Sequence, residues 1–280
     1  MSANYSLLCY TREATGRKEA NNEDIAYSMH LALRSGDDAE WQPLNENYGI
    51  FFAAGVPIAA ATAESRRACT ASARFADDPF DAPRPATDAV AHGVVMPGMD
   101  ITLKSLKDPF LFRLADGRFA VVATRTARGG DPDGSERSAF LLAVSKDLTA
   151  FDQLGLVLLR TVGGVNRPSV AFDAVDKRYV VSWTGDDGKA YTARTADIVA
   201  AAGSGAPLDV EESAESLPQR QSGDCGIPNA VIGNSIAISE AEAERLMERF
   251  GRIRNTGTSV PVQRVDAGLH GEDARDAVMA

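Results

Sequence analysis

The chain is poor in the residues that carry metal and redox chemistry, with three cysteines, three histidines and two tryptophans in 280 residues. Cys9, Cys69 and Cys225 are odd in number and far apart. They match neither a disulfide framework nor C-x-x-C metal spacing, so three free thiols in a reducing compartment are expected. His30, His92 and His270 are equally scattered and offer no zinc constellation. No metal and no cofactor are expected. Basic residues are in deficit, 29 against 39 acidic, and the net charge of −10 argues against a nucleic-acid partner. No apolar run approaches the roughly 20 residues that span a bilayer. The N-terminus lacks the basic region and apolar core of a secretory signal. These absences point to a cytoplasmic protein without membrane partners and leave the oligomeric state open.

What is present is globular in character. Apolar residues make up 44% and charged residues 24%, and the length suits one or two domains with a real core. The best-organised stretch is Lys107-Asp108-Pro109-Phe110-Leu111-Phe112-Arg113, then Asp116-Gly117-Arg118 and the apolar run Phe119 to Ala123. Alternation of Phe110, Phe112 and Leu114 and the Val/Ala-rich return predict an antiparallel strand pair, and Asp-Gly is a hairpin turn signal. Asp108 precedes the first strand beside a proline. A carboxylate held there is either a catalytic group or a turn cap.

The pattern recurs as Arg167-Pro168-Ser169-Val170-Ala171-Phe172-Asp173, Asp176-Lys177-Arg178 and Tyr179 to Thr184. Each copy runs on to an S/T-x-D-L/I ending, Ser145 to Leu148 and Thr195 to Ile198. A partial copy opens the chain, with Tyr5 to Thr11, Ile25 to Ala32 and Trp41. Repeated units of a few antiparallel strands are the mark of propeller blades. The prediction from these repeats is an all-β, β-propeller-like fold with a short C-terminal helix.

Blades are expected over 1–200, with strands at 5–12, Ile25 to Leu33 and Gly49 to Ala53. Period-two alternation puts His30 on the smaller, more polar face of its strand. Residues 54–101, rich in Ala, Pro, Asp and Arg, read as a long inserted loop, and its Asp78-Pro79-Phe80 is followed by no strand. Residues 201–226 read as a linker. In 227–280, Ser239 and Glu242 have capping-box spacing, Glu240 to Phe250 is a helix ending at Gly251, and the remainder is a frayed tail.

In these motifs the chain resembles the five-bladed propeller glycosidases of glycoside hydrolase family 43 and their arabinanase-like relatives. The resemblance rests on Lys107 to Arg113 with its D-G-R-F-A-V-V-A-T return, on Ser145 to Leu148 and on R-P-S-V-A-F-D…Y-V-V-S-W. The opening Tyr5 to Tyr10, Ile25 to His30 and Trp41 to Asn45 add a first blade, for a coverage of roughly 5–200. It implies inverting hydrolysis of arabinofuranosides or xylosides, as in plant polysaccharide breakdown, by axial carboxylates that serve as base, orienting group and acid. Acid and base stand roughly 6.5–9.5 Å apart in such enzymes. Asp108 takes the position of the base, and Lys107, His30 and Arg167 become candidate sugar contacts. Trp183 and Trp41 are open to sugar stacking or blade-core packing.

The sequence departs from the family pattern. Where relatives often show W-A-P-E or W-A-P-D, it has Asn166-Arg167-Pro168-Ser169. No later D-P strand opening supplies the second aspartate and no E-G-P-like start supplies the acid; Glu211, Glu212 and Glu215 lie in linker-like sequence. The alternative reading is therefore an inactive carbohydrate-binding or scaffold propeller module of a larger glycosidase.

Overall fold

A computed structural model describes residues 5–14, 22–36, 39–55, 102–161, 163–213 and 224–251. Most of the inserted loop, including Asp78, lies outside these residues, as do 214–223 of the expected linker, the tail beyond Gly251, Cys69 and Glu215.

The described chain is mostly β, in three four-stranded antiparallel sheets. Sheet I contains β1 (Tyr5–Arg12), β2 (His30–Ser35) and β3 (Gln42–Pro43), preceded on its other edge by β14 (Ala230–Ile238). A two-stranded ribbon of β4 (Ala54–Gly55) and β5 (Thr102–Leu103) closes the two ends of the inserted loop together. Sheet II is the meander β6 (Ser105–Arg113), β7 (Phe119–Thr126), β8 (Ala139–Ser145) and β9 (Asp152–Leu158). Sheet III repeats it with β10 (Asn166–Asp173), β11 (Arg178–Thr184), β12 (Ala190–Thr195) and β13 (Val210–Glu212). Helices are short: α1 (Asn22–Ala26), α2 (Ile198–Ala201) and α3 (Glu240–Phe250).

Several sequence expectations change. Gly49 to Ala53 forms no strand and contributes only an isolated bridge from Phe51 to Met29. Ile25 to Leu33 is not one strand, because α1 ends at Ala26 and β2 begins at His30. Val210–Glu212, read as linker, adds an edge strand to β12. Three four-stranded sheets, rather than five, are found among the described residues. The C-terminal region is also more than a helix. β14 pairs along the whole of β1 and supplies sheet I with an edge that no nearby sequence provides.

Sheet II is the centre of the assembly. Its β7 and β8 are buried on both faces, as expected of strands covered from two sides. One face carries Leu111, Val121 and Leu141 into a core shared with Leu7 and Leu31 of sheet I and with Ala243, Leu246 and Phe250 of α3. The other carries Val122, Phe140 and Leu142 into a second core with Val170, Val181 and Trp183 of sheet III. The edge strands β14 and β10 both pack on β6, so the three edges meet along it.

The meeting is close. The Asn234 side chain stands in for a strand, accepting from Leu111 N at 2.7 Å and donating to Leu111 O at 2.8 Å. Beside it, a Cβ on Gly233 would collide with the Pro109 carbonyl, so β14 can approach β6 only with glycine there. Ser239 and Glu242 form the reciprocal capping box of α3, and Arg113 binds Glu242 through two bonds of 3.1 and 2.8 Å.

Candidate functional site

The three inner edges share a defect at the same level. In β6 the ladder pairs Lys107 with Thr124 and Phe110 with Val122, leaving Asp108 and Pro109 against Ala123. In β10 it pairs Asn166 with Thr184 and Ser169 with Ser182, leaving Arg167 and Pro168 against Trp183. In β14 the register slips at Gly233. Proline has no N–H for the ladder, so a bulge is the local solution that keeps both flanks paired.

Both pre-proline residues are left-handed, with φ of 52° at Asp108 and 53° at Arg167. Such a conformation costs a non-glycine residue about 1–3 kcal/mol and is held only where surrounding structure imposes it. The bulges are in contact, since the Arg167 N–H donates to Asp108 Oδ2 at 3.3 Å. The carboxylate of one inner strand thus rests on the backbone of the next. This contact ties the two bulges to each other.

Neighbouring loops are tied down around this mouth. Thr124 donates to the Val165 carbonyl at 2.9 Å, and Gly164 N and Asn166 Nδ2 donate to Asp186 at 2.8 and 3.0 Å. Arg137 also closes on Asp186. On the other side, Lys107 Nζ lies over the Tyr27 ring, 5.5 Å from its centre. Arg128 clamps the buried Asp24 through two bonds of 2.8 and 2.7 Å, which anchors the loop after β7 to α1. Asp24, Tyr27 and Asp186 carry no sequence signal for this role, because each acts on a residue distant in the chain.

Of the sequence candidates, Asp108, Arg167 and Lys107 belong to this mouth or its flank. His30 and Trp183 do not reach solvent: both are fully buried. His30 stacks on Tyr10 at 5.2 Å, and its Nε2 meets the Ile25 carbonyl at 2.7 Å. Burial pushes its pKa down to about 4. In this structure neither side chain is open to a sugar; for Trp183, of the two readings left open, it is core packing that is seen, against Tyr191 and the second core.

Carboxylates suited to act as an acid are scarce here. At the entry ends of the inner strands, Asp108 is the only carboxylate among the described residues. Asp186 is held below the usual carboxylate range by Arg137 and Asn166, the opposite of what a general acid needs. The bonds of Lys104 and Ser135 pull Asp133 down to about 2. Glu211 and Glu212 lie on the outer strand β13, where Glu212 pairs with Lys189 at 2.9 Å. No group of His, Cys, Asp or Glu among the described residues is arranged to hold a metal ion.

No protein-family model matches the chain, and no curated protein matches it. Among solved structures, the chain is similar to an exo-β-1,3-galactanase from Phanerochaete chrysosporium crystallised with β-1,3-galactotriose, at 9% identity and a TM-score of 0.38. The likeness covers 76% of this chain and 38% of that protein, so the chain spans well under half of its length. At that score it carries no argument about activity, and the assignment of function rests on the mouth of the inner strands.

Proposed function

We propose that this chain acts on carbohydrate as a β-propeller-type protein of the glycoside hydrolase family 43 kind, with Asp108 as its central carboxylate. The observation that carries the reading is the seat of Asp108: a left-handed aspartate in an inner-strand bulge, resting on the Arg167 amide of the next strand. In the hydrolytic form, Asp108 takes a proton from a water that attacks the anomeric carbon. The glycosidic C–O bond breaks with inversion, and the leaving oxygen takes a proton from an acid or from solvent. Arabinofuranosides and xylosides are the substrates that the family resemblance implies. A second reading, sugar binding without hydrolysis, is favoured by the lack of a second carboxylate at the entries of the described inner strands.

Hydrolysis of aryl α-L-arabinofuranoside and aryl β-D-xyloside by the full chain and by Asp108→Asn tests this. Aryl leaving groups need little protonation, so release is expected even without a strong acid. A fall of about 10²–10⁴-fold in the variant, with an unchanged melting temperature, is the expected result for a lost base. Equal turnover in both proteins would remove Asp108 from the site. Silence in both, with calorimetric binding of the sugars, would establish the non-hydrolytic reading.

A further inference from the structure

We propose that the mouth formed by Lys107, Asp108 and Arg167 selects a carboxylated sugar, a hexuronate residue of a glycan, over a neutral one. This rests on the carbohydrate reading above and names the class of sugar.

The argument starts from register. Arg167 occupies in β10 the place that Asp108 occupies in β6, each the left-handed residue before a proline in a bulge of the inner strand. The residue at the counterpart of the carboxylate is therefore a cation, and the 3.3 Å bond from the Arg167 backbone N–H to Asp108 Oδ2 sets the two positions side by side. A site built on paired carboxylates would repel an anionic sugar. This one presents an exposed cation instead.

Among the described residues the charges of these cations close on no carboxylate. Arg113, Arg125, Arg128 and Arg137 each close on a carboxylate of the protein. Lys107 and Arg167 make no ion pair among the described residues; the ammonium of Lys107 meets only the face of Tyr27. A guanidinium fork binds a carboxylate through two parallel charge-assisted bonds, stronger than neutral ones. Asp108 can accept from ring hydroxyls of the same sugar, and Lys107 adds positive charge on the flank. The overall charge of −10 disfavours densely charged polyanions, so the fitting ligand carries isolated carboxylates.

The test is calorimetry of the full chain with galacturonate and glucuronate oligosaccharides, beside galactose- and xylose-based neutral oligosaccharides. Uronate binding is expected to be at least about tenfold tighter, as a charge-assisted fork contributes. That preference should shrink as salt is raised. Arg167→Gln removes the preference, Lys107→Gln reduces it and Arg167→Lys restores part of it. Neutral sugars bound as well as or better than uronates would overturn the proposal while leaving the carbohydrate reading intact. Binding of neither class would overturn both. Uronate binding unchanged in Arg167→Gln and Lys107→Gln would place the carboxylate elsewhere and also overturn it.

Discussion

His30 shows what a single buried residue does to the pH response of this protein. Desolvation opposes its charged form, and Arg12 adds repulsion; the Ile25 carbonyl and the Asn47 backbone favour the charge but lose to burial. The unfolded chain takes up a proton near 6.5 and the folded chain not until about 4. Between those values the unfolded state binds more protons, so stability falls as pH drops from 6.5 to 4 and levels off below. The loss is on the order of 3 kcal/mol for this group. Thermal melts of the full chain and of His30→Gln across that range measure it. The native protein should lose stability more steeply than the variant, and parallel slopes would show that His30 is not the titrating group. The residue type was visible in the sequence, but its burial was not. Period-two alternation holds only for one strand through Ile25, and the helix α1 breaks it.

At the scale of elements, the decisive contact is that of β14 with β6. A methyl group on Gly233 would meet the Pro109 and Cys9 carbonyls, which are backbone and cannot turn aside. Overpacking of this kind costs about 1–3 kcal/mol. Gly233→Ala is therefore expected to cost an amount in the upper part of that range, read as a lowered urea midpoint at unchanged m. Gly134→Ala, where a Cβ would meet nothing within 4 Å, should leave the midpoint nearly unchanged. Equal midpoints in the two variants would contradict the close approach of the edges. Local signals served well where neighbours decide the structure. The Asp-Gly hairpin between β6 and β7 and the capping box of α3 are both readable from adjacent letters. Sequence 230–238 offered no such cue, because its partner β1 lies at the other end of the chain.

For the molecule as a whole, sheet II joins two cores into one cooperative structure. Leu246 of α3 is fully buried in the core that sheets I and II share. Leu246→Ala should cost about 2–5 kcal/mol, the range for a truncated core leucine. Circular dichroism and, in a Trp41→Phe background, the fluorescence of Trp183 in the opposite core should then shift together in a single transition. Loss of helical signal ahead of the fluorescence change would mean that α3 peels away on its own and that the cores are not coupled.

The sequence by itself determined the all-β character, the repeated hairpins of sheets II and III, the α3 cap and the pre-proline aspartate and arginine. Each of these follows from residues within a few positions of one another, through side-chain alternation, turn chemistry or the missing proline N–H. Only the tertiary structure decided that β14 completes sheet I, that His30 and Trp183 are sealed in the interior, and that Asp108 rests on the amide of Arg167. Those outcomes depend on which strands meet across long stretches of chain. Hydrophobic burial drives that meeting, but it acts on whole faces and leaves no spacing in the sequence to mark the partner.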